Sequence, residues 1–440
     1  MRKFSVQRRA ANAAQSWRRA GAAVLASSVA AGLLAFAGTA RADDAAQIKH
    51  GEYLARAADC IACHTSNKAQ PYAGGVPFAL PFGTIYSTNI TPDPVHGIGK
   101  LSDADFISAV REGKSKDGKR LYPAMPYTSY TQLTDSDILA IRAYLRTVKP
   151  VAQPAPTNTL AFPFNQRWAM VFWNLFNFKS QRFQPDATKS VEWNRGAYLV
   201  GALAHCQECH TPRNFMQGLS DKALAGAQLG NWTAYNITSD KISGIGGWSD
   251  AELMAYLRSG AANGKANAAG PMAEVVENST RFLSDGDLKA MVTFLRDVPA
   301  QRDGETQPRF AWGSPIQTVV AIRNQPLQML GATLPADGRT LYNGNCASCH
   351  GWQGTGVGGQ AAGAYPSLMH NTAVGASGAD NLAMVVMHGV SRQTNDAYIA
   401  MPAFADQLTD QEAATLVNYV TTQFGNPAAT ISADKVAKLR

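Results

Sequence analysis

All six cysteines of this 440-residue chain fall in three copies of one pattern: Cys60-Ile-Ala-Cys63-His64, Cys206-Gln-Glu-Cys209-His210 and Cys346-Ala-Ser-Cys349-His350. C-x-x-C-H is the attachment spacing for c-type haem. One helical turn puts two thiols on the same side, where each can add to one vinyl group of a porphyrin. The adjacent histidine then faces the iron as its proximal ligand. A structural zinc site uses two C-x-x-C pairs and would leave one of three over. A thioredoxin-like pair needs a βαβ setting, which these segments do not show. Disulfides between the pairs would give the three histidines no role. The expectation is three covalently bound haem c groups, attached through Cys60, Cys63, Cys206, Cys209, Cys346 and Cys349, with His64, His210 and His350 on the irons.

The far side of the iron in an electron carrier is commonly closed by methionine, which raises the potential. Met125 lies in Tyr122-Pro-Ala-Met-Pro126, 61 residues after His64; Met272 follows Gly270-Pro271, 62 residues after His210; Met401 precedes Pro402, 51 residues after His350. Each sits beside proline, which stiffens the loop around a weak thioether ligand. Met384, Met387 and His388 are rivals in the third copy but read as a helical core run. His96 and His205 are rivals elsewhere, and His205 directly precedes Cys206 on the proximal side. His50 and His370 read as surface histidines. Three filled His/Met pairs leave no open iron, so no catalytic site is expected on this chain.

The elements that must position these residues also repeat. Cys60 to Cys206 spans 146 residues and Cys206 to Cys346 spans 140. Gly51-Glu-Tyr-Leu54, Gly196-Ala-Tyr-Leu199 and Gly338-Arg-Thr-Leu341 precede the motifs as short amphipathic helices. Thr88-Asn-Ile-Thr91 matches Tyr235-Asn-Ile-Thr238. Leu133-Thr-Asp-Ser-Asp137, Leu283-Ser-Asp-Gly-Asp287 and Leu408-Thr-Asp-Gln-Glu412 each supply a cap, first-turn acids and an apolar-periodic run. These predict closing helices ending near Val148, Val298 and Phe424. The fold class that follows is mainly α: three tandem class I-like cytochrome c domains, each built around one haem. They span residues 46–150, 186–300 and 332–425, with an aromatic-rich linker at 151–185, a second linker at 301–331 and a polar tail at 426–440.

The charge balance of 40 Lys+Arg against 32 Asp+Glu invites a nucleic-acid reading, but residues 1–42 hold seven of the cations and no acid. Their basic start, small apolar run and Ala40-Arg41-Ala42 site read as a secretory signal peptide, with a membrane anchor as the alternative. The remainder carries 33 cations against 32 anions, net +1, so nucleic acid is not an expected partner. Ordinary hydrophobic and charged fractions exclude disorder, and six cysteines are too few for a disulfide-built scaffold. Residues 160–183 form the densest aromatic stretch, including Phe162, Phe164, Trp168, Phe172, Trp173 and Phe176. This stretch is expected to pack between the first two haem domains; the alternative is a surface for a partner subunit or the membrane interface. Residues 310–331 form a second apolar linker with Trp312.

With the haem motifs and their spacing, Pro163-Phe-Asn-Gln-Arg-Trp168, Glu192-Trp-Asn-Arg-Gly-Ala-Tyr-Leu199, Cys209-His-Thr-Pro-Arg-Asn214 and Gly270-Pro-Met-Ala-Glu-Val-Val276 carry a resemblance over residues 46–425. The chain resembles the trihaem cytochrome c subunits of bacterial membrane-bound alcohol, gluconate and related sugar dehydrogenases. The resemblance implies a partner catalytic subunit using flavin or pyrroloquinoline quinone (PQQ). It also implies electron transfer through three haems to ubiquinone, at the periplasmic face of the inner membrane. Family members with a hydrophobic C-terminal anchor differ from this chain, whose tail from Asn426 to Arg440 is polar and basic; its membrane association is expected to be peripheral. The alternatives are a haem enzyme with an open iron, or a cytochrome subunit of a terminal oxidase.

Overall fold

The computed structural model describes residues 44–314, 337–357 and 365–440. The proposed signal peptide and most of the 310–331 linker lie outside the described residues. The described chain is mainly helical, with strands only in short two-stranded hairpins.

Each repeat opens on a leading helix (residues 44–57, Val191–Tyr198 and Gly338–Asn345) and ends on a closing helix (Asp135–Leu145, Asp285–Asp297 and Asp410–Phe424). The closing helices start where the sequence places them. Thr134, Ser284 and Thr409 accept the backbone N–H of the residue three on, an orphan donor that would otherwise face the helix end unpaired.

Leading and closing helices cross in close contact, and the glycine that begins each leading-helix motif makes the crossing possible. A Cβ on Gly51 would lie 1.8 Å from the Ala140 carbonyl oxygen, and one on Gly196 would lie 1.9 Å from that of Ala290. On Gly338 it would lie 2.4 Å from Tyr419 Cβ. No other residue type leaves room for these backbones to approach. The second repeat has one more residue between this glycine and its first cysteine than the first repeat has. The extra residue is absorbed by a π-helical turn at Leu199–Leu203, the form a single insertion takes inside a helix.

The first two repeats share one continuous hydrophobic core, and the third builds a second. Repeats one and two meet reciprocally. Tyr53 of the first leading helix donates to Asp287 of the second closing helix at 2.6 Å, and Tyr198 of the second leading helix donates to Asp137 of the first closing helix at 2.5 Å. Gln207 and Glu208, inside the second haem motif, bond Thr128 and Ser129 just after Met125. Ser279, at the end of the helix that carries Met272, donates to Ala57 just before the first motif. The two repeats thus face each other about an approximate two-fold axis.

Two sequence expectations need correction. The tail is not simply polar. Ala433–Leu439 is a helix capped by Ser432, and Ala429, Ile431, Val436 and Leu439 are buried against the third repeat. Counting charges hid the apolar spacing. The aromatic linker packs between the first two repeats on one face only. Its helix, Ala169–Asn177, turns Asn174 toward Tyr127 of the first repeat and Trp173 toward the Met216 carbonyl of the second. Phe162, Trp168, Val171, Phe172, Leu175 and Phe176 remain exposed. The linker has more large apolar residues than one helix face can bury.

Candidate haem sites

In each repeat the motif histidine is tied at Nδ1 to a backbone carbonyl: His64 to Thr88 at 2.7 Å, His210 to Tyr235 at 2.6 Å and His350 to Pro366 at 2.8 Å. With Nδ1–H donating, the imidazole is the neutral tautomer whose Nε2 lone pair is free for a metal, and the ring cannot rotate away. Burial lowers all three histidine pKa values, which also favours the neutral ligand form. The carbonyl partners were not foreseen from sequence, although the signal was there. Thr88 and Tyr235 begin the repeated Asn-Ile-Thr segments, and the asparagines have structural work of their own. Asn89 donates to Val151 and Gln153, and Asn236 donates to Gln301, so each segment is stapled to the chain that leaves its closing helix.

The six thiols are free and half-buried. Burial pushes Cys60, Cys63 and Cys206 up to about 12 and Cys346 up to about 11, and raises Cys209. A neutral thiol suits an apolar wall, and a thioether suits it equally well, so haem attachment leaves no charge behind there. Among the described residues, no cluster of three or more His, Cys, Asp or Glu is arranged to hold a metal ion.

In the second repeat the candidate residues line one cavity. It has a volume of about 240 Å³ and is lined by Cys206, Cys209, His210 and Met272, with Trp232, Trp248 and Tyr256 among the apolar walls. The Tyr235 hydroxyl, also in that lining, is buried without a hydrogen-bond partner among the described protein groups. These features fit a covalently attached haem with polar edge groups. Cys206 and Cys209 would hold it, His210 and Met272 would ligate it, and the bound iron would supply one-electron chemistry.

The other two methionines lie in different local settings from Met272, which is in the helix Gly270–Asn278. Met125 lies half-buried against the shared core just before the Tyr127–Tyr130 turn, and Met401 ends the strand Tyr398–Met401 half-buried against the third core. Met384 and Met387 are core residues, and His388 bonds the Leu439 carbonyl. His205 packs edge-on against Tyr130, and His96 is exposed.

A family model described as cytochrome c matches residues 48–149 and 335–423, with the second repeat lying between the matched segments. The chain is 45% identical over 404 residues to a fructose dehydrogenase cytochrome subunit of Gluconobacter japonicus, covering 89% of this chain and 82% of that one. The chain belongs to the family of dehydrogenase cytochrome c subunits. It is also 40% identical to the cytochrome c subunit of a quinone alcohol dehydrogenase of Gluconobacter oxydans, over 93% of this chain and 86% of the relative. Against a gluconate 2-dehydrogenase cytochrome c subunit of Pantoea cypripedii the identity is 38%, over 93% of both chains. Cytochrome c membership implies covalently bound haem c. It is consistent with the free thiols and tethered histidines.

Proposed function

We propose that this chain is a trihaem electron-transfer subunit. It accepts electrons from a flavin- or PQQ-dependent dehydrogenase subunit and delivers them to ubiquinone in the respiratory chain. The observation that carries this reading is the wall of the second cavity, which all three repeats build. Asp59 comes from the first repeat, and Thr372, Asn381 and Val385 come from the third. Asn381 pairs with the Thr233 backbone in both directions, and Thr372 bonds Lys265 twice. The second site therefore lies in contact with both other repeats, an arrangement suited to passing electrons along the chain.

The assigned ligand pairs are His64 with Met125, His210 with Met272, and His350 with Met401. Closed pairs leave substrate oxidation to the partner subunit. Residues 1–42 read as the export signal, which puts the chain at the periplasmic face of the inner membrane. No helix among the described residues is long and apolar enough to cross a membrane. The exposed aromatic face of Ala169–Asn177, with Lys179 beside it, has the composition of a segment lying in the lipid interface.

The test is to purify the complex from native membranes and count haem against this chain by pyridine haemochrome and mass. Three haems per chain are expected, reduced by the partner's substrate and reoxidised by a soluble ubiquinone analogue. Two haems per chain, or haems that stay oxidised with substrate present, overturn the proposal.

A further inference from the structure

The hairpin that presents Met401 also reaches into the second repeat. Its strands, Val390–Gln393 and Tyr398–Met401, pair antiparallel with Val390 opposite Met401 and Arg392 opposite Ile399. Arg392 is among the largest fully buried side chains of the protein. Its Nε donates to the Ser259 carbonyl at 2.9 Å and its Nη1 to the Ala268 carbonyl at 2.7 Å.

Both acceptors belong to the second repeat. Ser259 ends the helix Asp250–Ser259, and Ala268 lies four residues before Met272 on the strap that leads to it. Gly260 lies between the acceptors with φ +74°, and a Cβ there would sit 2.6 Å from Arg392 Nε. On the other side of the same strap, Ala266, Asn267 and Ala269 line the cavity, as does Tyr256. The guanidinium therefore stands directly behind the wall of the second site.

Among the described residues it has no ion-pair partner; a nearby carboxylate, Glu277, bonds the backbone of the neighbouring Gln393. Burial lowers the Arg392 pKa, and the one group acting against that is the Tyr256 hydroxyl, not a carboxylate. A buried cation held only by two carbonyls is costly to keep. The first repeat closes the equivalent joint from within. Leu121 N–H bonds Gly113 at 2.7 Å, as Ala268 N–H bonds Gly260 at 2.7 Å. Behind Gly113, however, lies the neutral ring of Tyr127. The helix-end carbonyl of Glu112 accepts from Arg120 of the same repeat at 3.2 Å. The second repeat thus takes from its neighbour what the first supplies for itself.

We propose that Arg392 is a cross-repeat positioning residue. It clamps the strap that leads into the helix carrying Met272 and sets a desolvated positive charge behind the second haem site, so that docking of the third repeat fixes both the ligation and the potential of the second. The inference rests on the reading of Met272 as a ligand. Oxidation of the iron adds one positive charge, and a nearby cation in a low-dielectric wall opposes that addition. The charge therefore favours the reduced state at this site. The same hairpin presents Met401, so the ligand loops of the second and third sites are joined through one short element.

The test uses the full haem-loaded chain and three variants: Arg392→Gln, Arg392→Lys and Met272→Leu. The readouts are potentiometric midpoints, the methionine–iron charge-transfer band and imidazole titration of the ferric protein. For Arg392→Gln, one midpoint is expected to fall by at least a tenfold change in its one-electron equilibrium, about 59 mV. Imidazole is expected to displace methionine at one haem at tenfold lower concentration. Arg392→Lys keeps the cation but not the two-carbonyl fork, so its midpoints stay near the parent while imidazole sensitivity rises. Arg392→Gln with parental midpoints and parental imidazole affinity overturns the inference. If that variant yields no folded protein, parental imidazole affinity in Arg392→Lys overturns it. Met272→Leu separates the two readings. If it leaves every band and midpoint in place, the ligand assignment itself fails. If it removes one band while both Arg392 variants behave as the parent, only the role of Arg392 fails.

Discussion

Gly196→Ala tests the packing that brings the leading and closing helices together. In an ordinary helix interior this change is favourable by about 1 kcal/mol, because alanine loses less backbone freedom than glycine. Here the new methyl group would lie 1.9 Å from the Ala290 carbonyl oxygen and 2.6 Å from its carbon. Both are backbone atoms in a helix, so no side chain can swing aside. An ordinary carbon–oxygen contact needs about 3.3 Å, which forces the helices roughly 1.4 Å apart. A gap of that size forfeits more than about half of the dispersion contact across the interface. Buried Tyr198, Leu199, Leu288, Met291 and Val292 lie in the core around this crossing. Overpacking of this kind costs about 3 kcal/mol, so the net loss after the gain in propensity is about 2 kcal/mol. The first two repeats share one core, so for a cooperative unit of about 250 residues that is a drop in Tm of roughly 6 °C. Thermal melts of the haem-loaded chain, followed by circular dichroism, measure it. Gly344→Ala is the control, because its Cβ would meet nothing within 4 Å; its stability should hold or rise slightly. If Gly196→Ala melts with or above the parent, the close-approach argument is wrong.

Two further outcomes follow from the interface and the surface. Burial alone would raise the Asp287 pKa, but hydrogen bonds from Arg195 and Tyr53 outweigh it and hold the carboxyl below its ordinary value. The charged form therefore stabilises the junction of the first two repeats above the unfolded carboxyl pKa of about 3.9, and that contribution fades as pH falls through the depressed folded value. Asp287→Asn should lose about 1–3 kcal/mol at pH 7. Its melting gap to the parent should narrow below about pH 4; a gap that is the same at pH 7 and pH 3 contradicts the assignment. Replacing Trp168, Phe172 and Leu175 together with serine should lower partition onto phospholipid vesicles at least tenfold, about 1.4 kcal/mol, with haem content unchanged. These side chains are 65%, 59% and 74% exposed, so folding should not depend on them. Parental vesicle binding would mean that this face serves another partner.

The cofactor chemistry was legible in the sequence because it is local. Two thiols and a histidine within five residues make the same attachment site wherever they fold, and repetition singled out three candidate methionines. Caps such as Thr134, Ser284 and Thr409 were legible for the same reason: a side chain bonding a backbone group three residues on needs no tertiary contact. The glycines at 51, 196 and 338 were visible as a repeated letter, but only the helix crossing explains them. The histidine tethers lay 16 to 25 residues from their histidines, too far for spacing to assign.

Tertiary structure alone decided how the repeats meet. The Tyr53–Asp287 bond joins residues 234 apart and the Arg392–Ala268 bond residues 124 apart. No local pattern marks Arg392 as buried, since an arginine in a short hairpin is ordinarily solvated. The aromatic linker is the converse case, where composition suggested burial and a single helix had only one side to bury. Sequence determined which chemistry each repeat can hold, because that chemistry is covalent and short-range. Tertiary structure determined which repeat sits in the middle, because burial and charge without a partner depend on residues brought together from distant parts of the chain.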